Sequence, residues 1–348
     1  MKKIRLGRTG LMVTDTSFGA LPVQRTDTQS AVKLIRRAFD AGINYFDTAN
    51  SYTDSEYKLG LALSDVRGEV VISTKSGGGD KKTVTAHIEN SLRMLKTDYI
   101  DLLQFHNPAS LPDPNDPDSP FAAALEAKRK GYVRHIGITN HRLALAHQAI
   151  ECGLYETLQF PFSYLSSEEE LALPTLCKEA DMGFIAMKGL AGGLLTNARA
   201  CAAFMRQYDN VVPIWGIQRE RELDEFLALA AMEELALADE LREIIGRDRA
   251  ELSGNFCRSC GYCLPCPAGI DIPQAARMYC LLRRMPMEQF MTREYYQRMH
   301  KIDACINCRV CASRCPYSLD TPNLLRAMLE DYDAMYAKHG PKLTFDNG

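Results

Sequence analysis

Two stretches near the C-terminal end carry side chains able to do metal chemistry: C-R-S-C-G-Y-C-L-P-C-P at 257–267 and C-I-N-C-R-V-C-A-S-R-C-P at 305–316. Cys257, Cys260, Cys263, Cys266, Cys305, Cys308, Cys311 and Cys315 all lie here, out of 12 cysteines in the chain. The spacing C-x2-C-x2-C-x3-C-P is that of a 4Fe-4S ligand run, in which the fourth thiolate often serves a second cluster. Residues 305–316 match it. Residues 257–267 depart by one position, with only Leu264 and Pro265 between the third and fourth cysteines, but keep the Cys-Pro ending. Zinc is the rival, since two C-x2-C pairs could surround one tetrahedral ion. A cysteine quartet closed by proline and occurring twice favours two 4Fe-4S clusters. Such packing also favours metal in a reducing, cytoplasmic compartment over disulfides.

The elements that would have to position any further chemistry come before residue 235. Eight short β-branched or aromatic runs are strand candidates: 16–20, 44–48, 70–74, 100–105, 135–139, 157–160, 183–187 and 211–215. Between them lie segments with apolar residues at three- and four-residue steps, among them Gln29–Ala41, Val84–Leu95, Phe121–Lys130, Leu143–Cys152, Glu168–Ala180 and Arg199–Gln207. Strands alternating with helices imply an α/β fold with parallel pairing, and eight such units fit a (β/α)8 TIM barrel. A doubly wound open sheet is the alternative. Residues 3–13 read as a hairpin ahead of the first barrel strand. Residues 107–120, with five prolines, form a loop directly after a strand and so belong to the face where barrel enzymes work. The expected organisation is a barrel over 1–235, a helical linker over 236–253, a cysteine module over 254–330 and a tail over 331–348.

The ends of the barrel strands present Asp47, Tyr52, Lys75, His106 and Asn140. The stretches F-D-T-A-N-S-Y (46–52), S-T-K (73–75), D-L-L-Q-F-H (101–106) and R-H-I-G-I-T-N (134–140) resemble the aldo-keto reductases over roughly residues 3–230. The resemblance implies reduction of an aldehyde or ketone by hydride from a nicotinamide, with an Asp-Tyr-Lys-His tetrad. Tyr52 would protonate the developing alkoxide, and a cation at Lys75 would bring its phenol, normally near pKa 10, into a usable range. Asp47 would keep Lys75 charged against desolvation. His106 would donate a hydrogen bond to the substrate oxygen.

The same resemblance implies that Thr139, Asn140 and Gln159 hold the nicotinamide amide and that Gly19 lets backbone approach the cofactor. After the seventh strand the family often carries a stacking Tyr, but here A-M-K-G places Met187 and Lys188, so stacking would be a softer thioether contact. After the eighth strand, Gly216, Gln218 and Arg219 would meet the phosphate or adenosine, in a loose match that leaves NADP and NAD both open. The 38 residues between Cys266 and Cys305 have helical periodicity, and the module resembles the α-helical ferredoxins. That resemblance assigns Cys257, Cys260, Cys263 and Cys315 to one cluster and Cys305, Cys308, Cys311 and Cys266 to the other. The shortened first motif leaves open whether Cys266 crosses over or closes its own set. Cys280, Cys152, Cys177 and Cys201 read as packing residues.

A net charge of −3, with dispersed Lys and Arg, provides no footprint for nucleic acid, and no apolar run is long enough to span a bilayer. The functional expectation is a nicotinamide-dependent carbonyl reductase, its clusters an electron port or a structural support. The alternative is a reductase that delivers single electrons to a substrate in the barrel mouth, supplied by a ferredoxin or another electron carrier.

Overall fold

The computed structural model describes residues 1–252 and 256–341. Because a parallel strand can return to its sheet only after a crossover, the alternating pattern has to resolve into βα units. The chain opens with β1 (Lys3–Arg5) and β2 (Met12–Thr14), an antiparallel hairpin. Next come β3 (Ser17–Gly19), α1 (Thr28–Asp40), β4 (Tyr45–Asp47), α2 (Ser55–Leu63), β5 (Val71–Ser76), α3 (Lys81–Leu95), β6 (Ile100–His106) and α4 (Pro120–Arg129). The series continues with β7 (Val133–Thr139), α5 (Leu143–Glu151), β8 (Thr157–Pro161), α6 (Glu168–Glu179), β9 (Gly183–Met187), α7 (Ala198–Met205), β10 (Val211–Gly216) and α8 (Glu220–Ala230). Strands β3 to β10 close in sequential order into one barrel, every neighbour parallel. The (β/α)8 expectation holds and the open sheet does not.

The hairpin fills one end of the barrel. Ile4, Leu6 and Val13 are buried in one cluster with Tyr45, Val71, Leu102, Ile185 and Val212, residues that point inward from five strands. Helix starts follow local chemistry: Asp27, Asp80, Ser119 and Ser167 each accept a backbone N–H of the first turn, and Glu170 completes a capping box on α6. Helix α2 was not among the helices expected from periodicity. It buries seven of its nine residues, on most of its circumference, so no one-sided apolar stripe marks it. Gly60 is required there, since a Cβ would lie 2.3 Å from the Met94 carbonyl oxygen.

Helix α9 (Asp239–Leu252) follows, and the compact units divide within it, at Ile245 and Gly246. The second unit contains α10 (Ile272–Ala275), α11 (Met278–Arg284), α12 (Arg293–Met299), α13 (Val310–Ser313) and α14 (Thr321–His339). It also takes in Leu190–Thr196, whose carbonyls at Gly192 and Leu194 accept from Arg277 (2.7 Å) and Arg284 (3.1 Å). Its core gathers Met278, Leu281, Phe290, Met299, Leu325, Leu329 and Tyr332. The expected tail from 331 is helical up to His339, because Tyr332 and Tyr336 are core residues and hold that turn of α14 in place. Residues 254–255, where the module was expected to begin, and 342–348 of the tail lie outside the described residues.

Candidate active site and cysteine module

Strand register sets the tetrad. Asp47 ends β4 and pairs with Ser73 of β5, while Lys75, two residues on, faces the same way and pairs with Gln104 of β6. Lys75 Nζ donates 2.5 Å to Asp47 Oδ1 and 2.5 Å to the Thr48 carbonyl, and both partners of this ion pair are buried. Asp47 Oδ2 in turn accepts from Ser73 Oγ at 2.6 Å and Gln104 Nε2 at 3.3 Å, and Ser73 accepts from Tyr45. Removing one partner of such a pair would cost about 3–5 kcal/mol, because the other charge would stay buried alone.

Tyr52 and His106 meet edge to face above this pair, ring centroids 5.8 Å apart. The ammonium of Lys75 lies over the Tyr52 ring, 5.2 Å from its centroid. It donates its hydrogen bonds to Asp47 and the Thr48 carbonyl. Burial, and then the Asp47 carboxylate, push Tyr52 well above its ordinary value. Burial pulls Lys75 down, against Asp47. Burial, and then the nearby Lys75 charge, lower His106 to about 3, so its imidazole is neutral at physiological pH. Ser51 Oγ stands 3.5 Å from His106 Nδ1, at the outer limit of a hydrogen bond.

The residues expected at the nicotinamide come together on the β7, β8 and β9 side. Thr139 and Gln159 are register partners, and both hydroxyl and amide donate weakly to the Met187 thioether, at 3.9 and 3.7 Å. Asn140 Oδ1 accepts from the backbone of His141 and Arg142, and its Nδ2 donates to the Pro108 carbonyl, so its amide also locks the 107–120 loop. Gly19 has a second reason to lack a side chain: a Cβ would meet the Trp215 carbonyl of neighbouring β10 at 3.0 Å. Lys188 follows Met187 with a positive φ of 58°.

Two features escaped the sequence reading. Gln104, fully buried, joins the halves of the site by donating to Asp47 and, at 2.8 Å, to Gln159 Oε1. An amide two residues before His106 inside an apolar strand was its signal, since alternate residues share the barrel interior. The other feature is Glu222, whose Oε2 accepts from the backbone N–H groups of Gln218 (2.9 Å) and Arg219 (3.1 Å) at the start of α8. Gly216 is exposed beside them. A carboxylate thus occupies donors that an anion would otherwise take at a helix N-terminus.

In the second unit the cysteines line two hollows. Cys257, Cys260, Cys263 and Cys315 surround one, with Ala276, Tyr317 and Leu324. Cys266, Cys305, Cys308 and Cys311 surround the other, with Ile270, Ile272 and Leu325, and Cys263 lines both. Among the described residues, no three or more His, Cys, Asp or Glu side chains converge on a position for a single metal ion. The hollows are lined by thiols without carboxylate or imidazole, a donor set that suits a thiophilic cluster. Burial pushes the free Cys263 thiol up to about 12, a cost that metal charge would reverse by holding it as thiolate. Cys280 is half-buried, Cys177 and Cys201 are buried, and Cys152 is exposed on the barrel.

The profile of the aldo/keto reductase family matches residues 10–244, and that of a 4Fe-4S dicluster domain matches residues 256–320. The chain belongs to the aldo/keto reductase family and is an oxidoreductase of that type, carrying a C-terminal iron–sulfur domain. An uncharacterised oxidoreductase of Bacillus subtilis, YrpG, is 32% identical over 227 residues, 56% of this chain and 68% of its own length. The match to another curated relative spans only 55% of that protein. In fold, an aldo-keto reductase from Bacillus halodurans superposes with a TM-score of 0.62 at 23% identity, over 71% of this chain and 96% of its own. One from Klebsiella pneumoniae, solved with NADPH, has a TM-score of 0.60 at 23% identity, over 71% and 94%. No helix among the described residues is long and apolar enough to cross a membrane.

Proposed function

We infer that the barrel reduces a small aldehyde or ketone, with Tyr52 as proton donor. The observation that carries this reading is the buried Lys75–Asp47 pair at 2.5 Å, placed directly beneath the Tyr52 ring. A bound nicotinamide, NADP or NAD, would supply hydride to the carbonyl carbon. Met187, Thr139 and Gln159 would hold it, with Asn140, Gly19, Lys188, Gly216, Gln218 and Arg219 as further contacts. NADPH in the Klebsiella pneumoniae relative supports a nicotinamide here. Glu222, already on the Gln218 and Arg219 amides, opposes a cofactor phosphate at those donors and so favours NAD at that position.

The chain's own groups account for the proton side. Tyr52, held protonated by its surroundings, gives its proton to the oxygen as the carbonyl becomes an alkoxide. The Lys75 ammonium beneath the ring then stabilises the phenolate until solvent reprotonates it. His106, neutral and accepting at Nδ1 from Ser51, keeps an Nε2–H to orient the carbonyl.

For the module, the two hollows support the crossed assignment: Cys257, Cys260, Cys263 and Cys315 for one 4Fe-4S cluster, and Cys305, Cys308, Cys311 and Cys266 for the other. Such clusters exchange one electron each. A second reading, single-electron delivery to a substrate in the barrel, is favoured by Glu222 and by Met187 in place of a stacking aromatic. One experiment separates them. Anaerobic enzyme is given a panel of aldehydes with NADPH or NADH, then with a low-potential one-electron donor instead. Turnover with nicotinamide alone supports the first reading, and turnover only with the one-electron donor overturns it.

A further inference from the structure

Fifteen residues around the first cysteine motif (256–270) and sixteen around the second (304–319) contain no Asp or Glu, but do contain Arg258, Arg309 and Arg314. Ile306 sits within the second. Its relative exposure is 71%, whereas the next most exposed large hydrophobic, Met12, stands at 47%. Isolated apolar residues on a surface are ordinary, but this one has company. Val310 (37% exposed) and Ile306 line the hollow of Cys305, Cys308 and Cys311, and exposed Leu264 precedes Pro265, which lines the same hollow. Cys308 is itself exposed. Nearby Ile302 and Leu319 are buried at 3% and 6%, so the fold had the means to sequester an isoleucine and did not use it on Ile306.

The two hollows also differ in cover. Arg258 stacks over Tyr317, 4.4 Å from its centroid, and both line the Cys257 hollow. At the Cys305 hollow, exposed Arg309 makes a 3.3 Å surface pair with Asp320, a contact of little energetic weight. Arg314 is exposed, with its guanidinium 3.5 Å from the Leu264 carbonyl.

We propose that the face formed by Leu264, Ile306, Val310 and Arg314 is the docking surface for a small acidic one-electron carrier protein. An apolar centre rimmed by guanidinium groups suits a partner with carboxylates around its own redox centre, in the small and rapidly exchanging interfaces typical of electron transfer. The carrier is oxidised by one electron and the adjacent cluster is reduced by one, and no bond or proton moves. The proposal rests on the iron–sulfur reading of Cys266, Cys305, Cys308 and Cys311.

The test uses the full-length holoprotein under anaerobic conditions, after iron and sulfide have been counted and the EPR spectrum recorded. Reduction by a photoreduced acidic ferredoxin is followed by stopped flow against ionic strength for wild type, Ile306→Asp and Arg314→Glu, with reduced methyl viologen, a small cationic donor that needs no docking surface, as the control. The expected result is a second-order rate that falls with salt in the wild type and about tenfold or more in each variant. Methyl viologen rates, iron content and EPR spectra should stay unchanged. Equal ferredoxin rates in wild type and variants overturn the docking surface while leaving the clusters intact. A concentration-dependent dimer in sedimentation, abolished by Ile306→Asp, overturns it in favour of a second copy of this chain. Absence of iron and sulfide overturns the cluster reading, and the surface with it.

Discussion

In the barrel, Asp47, Lys75 and Gln104 stand on paired strands, buried, each held by hydrogen bonds to the others. In the cysteine module most of the thiols stand on irregular backbone, half-buried or exposed. Ser259, Asn307 and Arg309 there adopt positive φ of 52°, 52° and 57°, as Thr53, Asn107 and Lys188 do beside the barrel site, so local strain does not separate the two regions. What does separate them is the ladder that positions the barrel site. The module's thiols have no such ladder, so metal affinity there would be part of the folding free energy.

Five measurements test that contrast. The largest effect should come from anaerobic chelation of iron. Amide protection over 256–339 is expected to fall by at least about a hundredfold, with β3–β10 unchanged, by hydrogen exchange. Comparable protection in both regions, with or without iron, would show that the module is as preorganised as the barrel.

Next, Tyr52→Phe should lower kcat by roughly 10²–10⁴ with KM nearly unchanged, and it should leave the EPR spectrum of the module intact. The pH profile of the wild type bears on the same site. His106, neutral above about 3, should add no inflection between about pH 5 and 8, and the raised Tyr52 should hold its proton throughout that range.

A smaller effect is expected at Gly60→Ala, where the obstructing atom is the Met94 backbone carbonyl and cannot swing aside. Unfolding in denaturant should show a loss of about 1–3 kcal/mol for the barrel, with the iron content unaffected. The mildest change is Met187→Tyr, which exchanges a thioether for a stacking ring. Nicotinamide affinity by fluorescence titration should rise by a few-fold to about tenfold, in line with about 0.5–1.5 kcal/mol per aromatic contact. An unchanged affinity would count against Met187 as part of the cofactor wall.

The legible parts of this protein are those governed by neighbours in sequence. Strand β9 coincides with the run read at 183–187, and β6 extends the run at 100–105 by only His106, because period-two burial and β-branched composition act locally. The strand-end residues were legible for the same reason: Asp47, Lys75 and His106 each stand at or within a residue of a strand end, Tyr52 in the loop that follows one, and a barrel brings such ends to one face, while their grouping as a tetrad came from the family resemblance. Helix α2 was not legible because a segment buried on most sides has no polar face to set its period.

The chain's order of residues alone determined the alternating strand and helix units, the strand-end placement of Asp47, Tyr52, Lys75 and His106, and the thiol-rich chemistry of the two C-terminal motifs. Tertiary structure decided the rest. It placed Lys75 beneath the Tyr52 ring and not at its hydroxyl, joined the two halves of the site through Gln104, and put Glu222 on the amides after β10. It also set Cys266 around one hollow with Cys305, Cys308 and Cys311, and Cys315 around the other with Cys257 and Cys260, while Cys263 lines both, the arrangement on which the crossed assignment is proposed. The physical reason is range. Spacing along the chain dictates which groups a strand or a turn can present, but which group from a distant element meets them depends on register, closure and burial, and these exist only once the chain has folded.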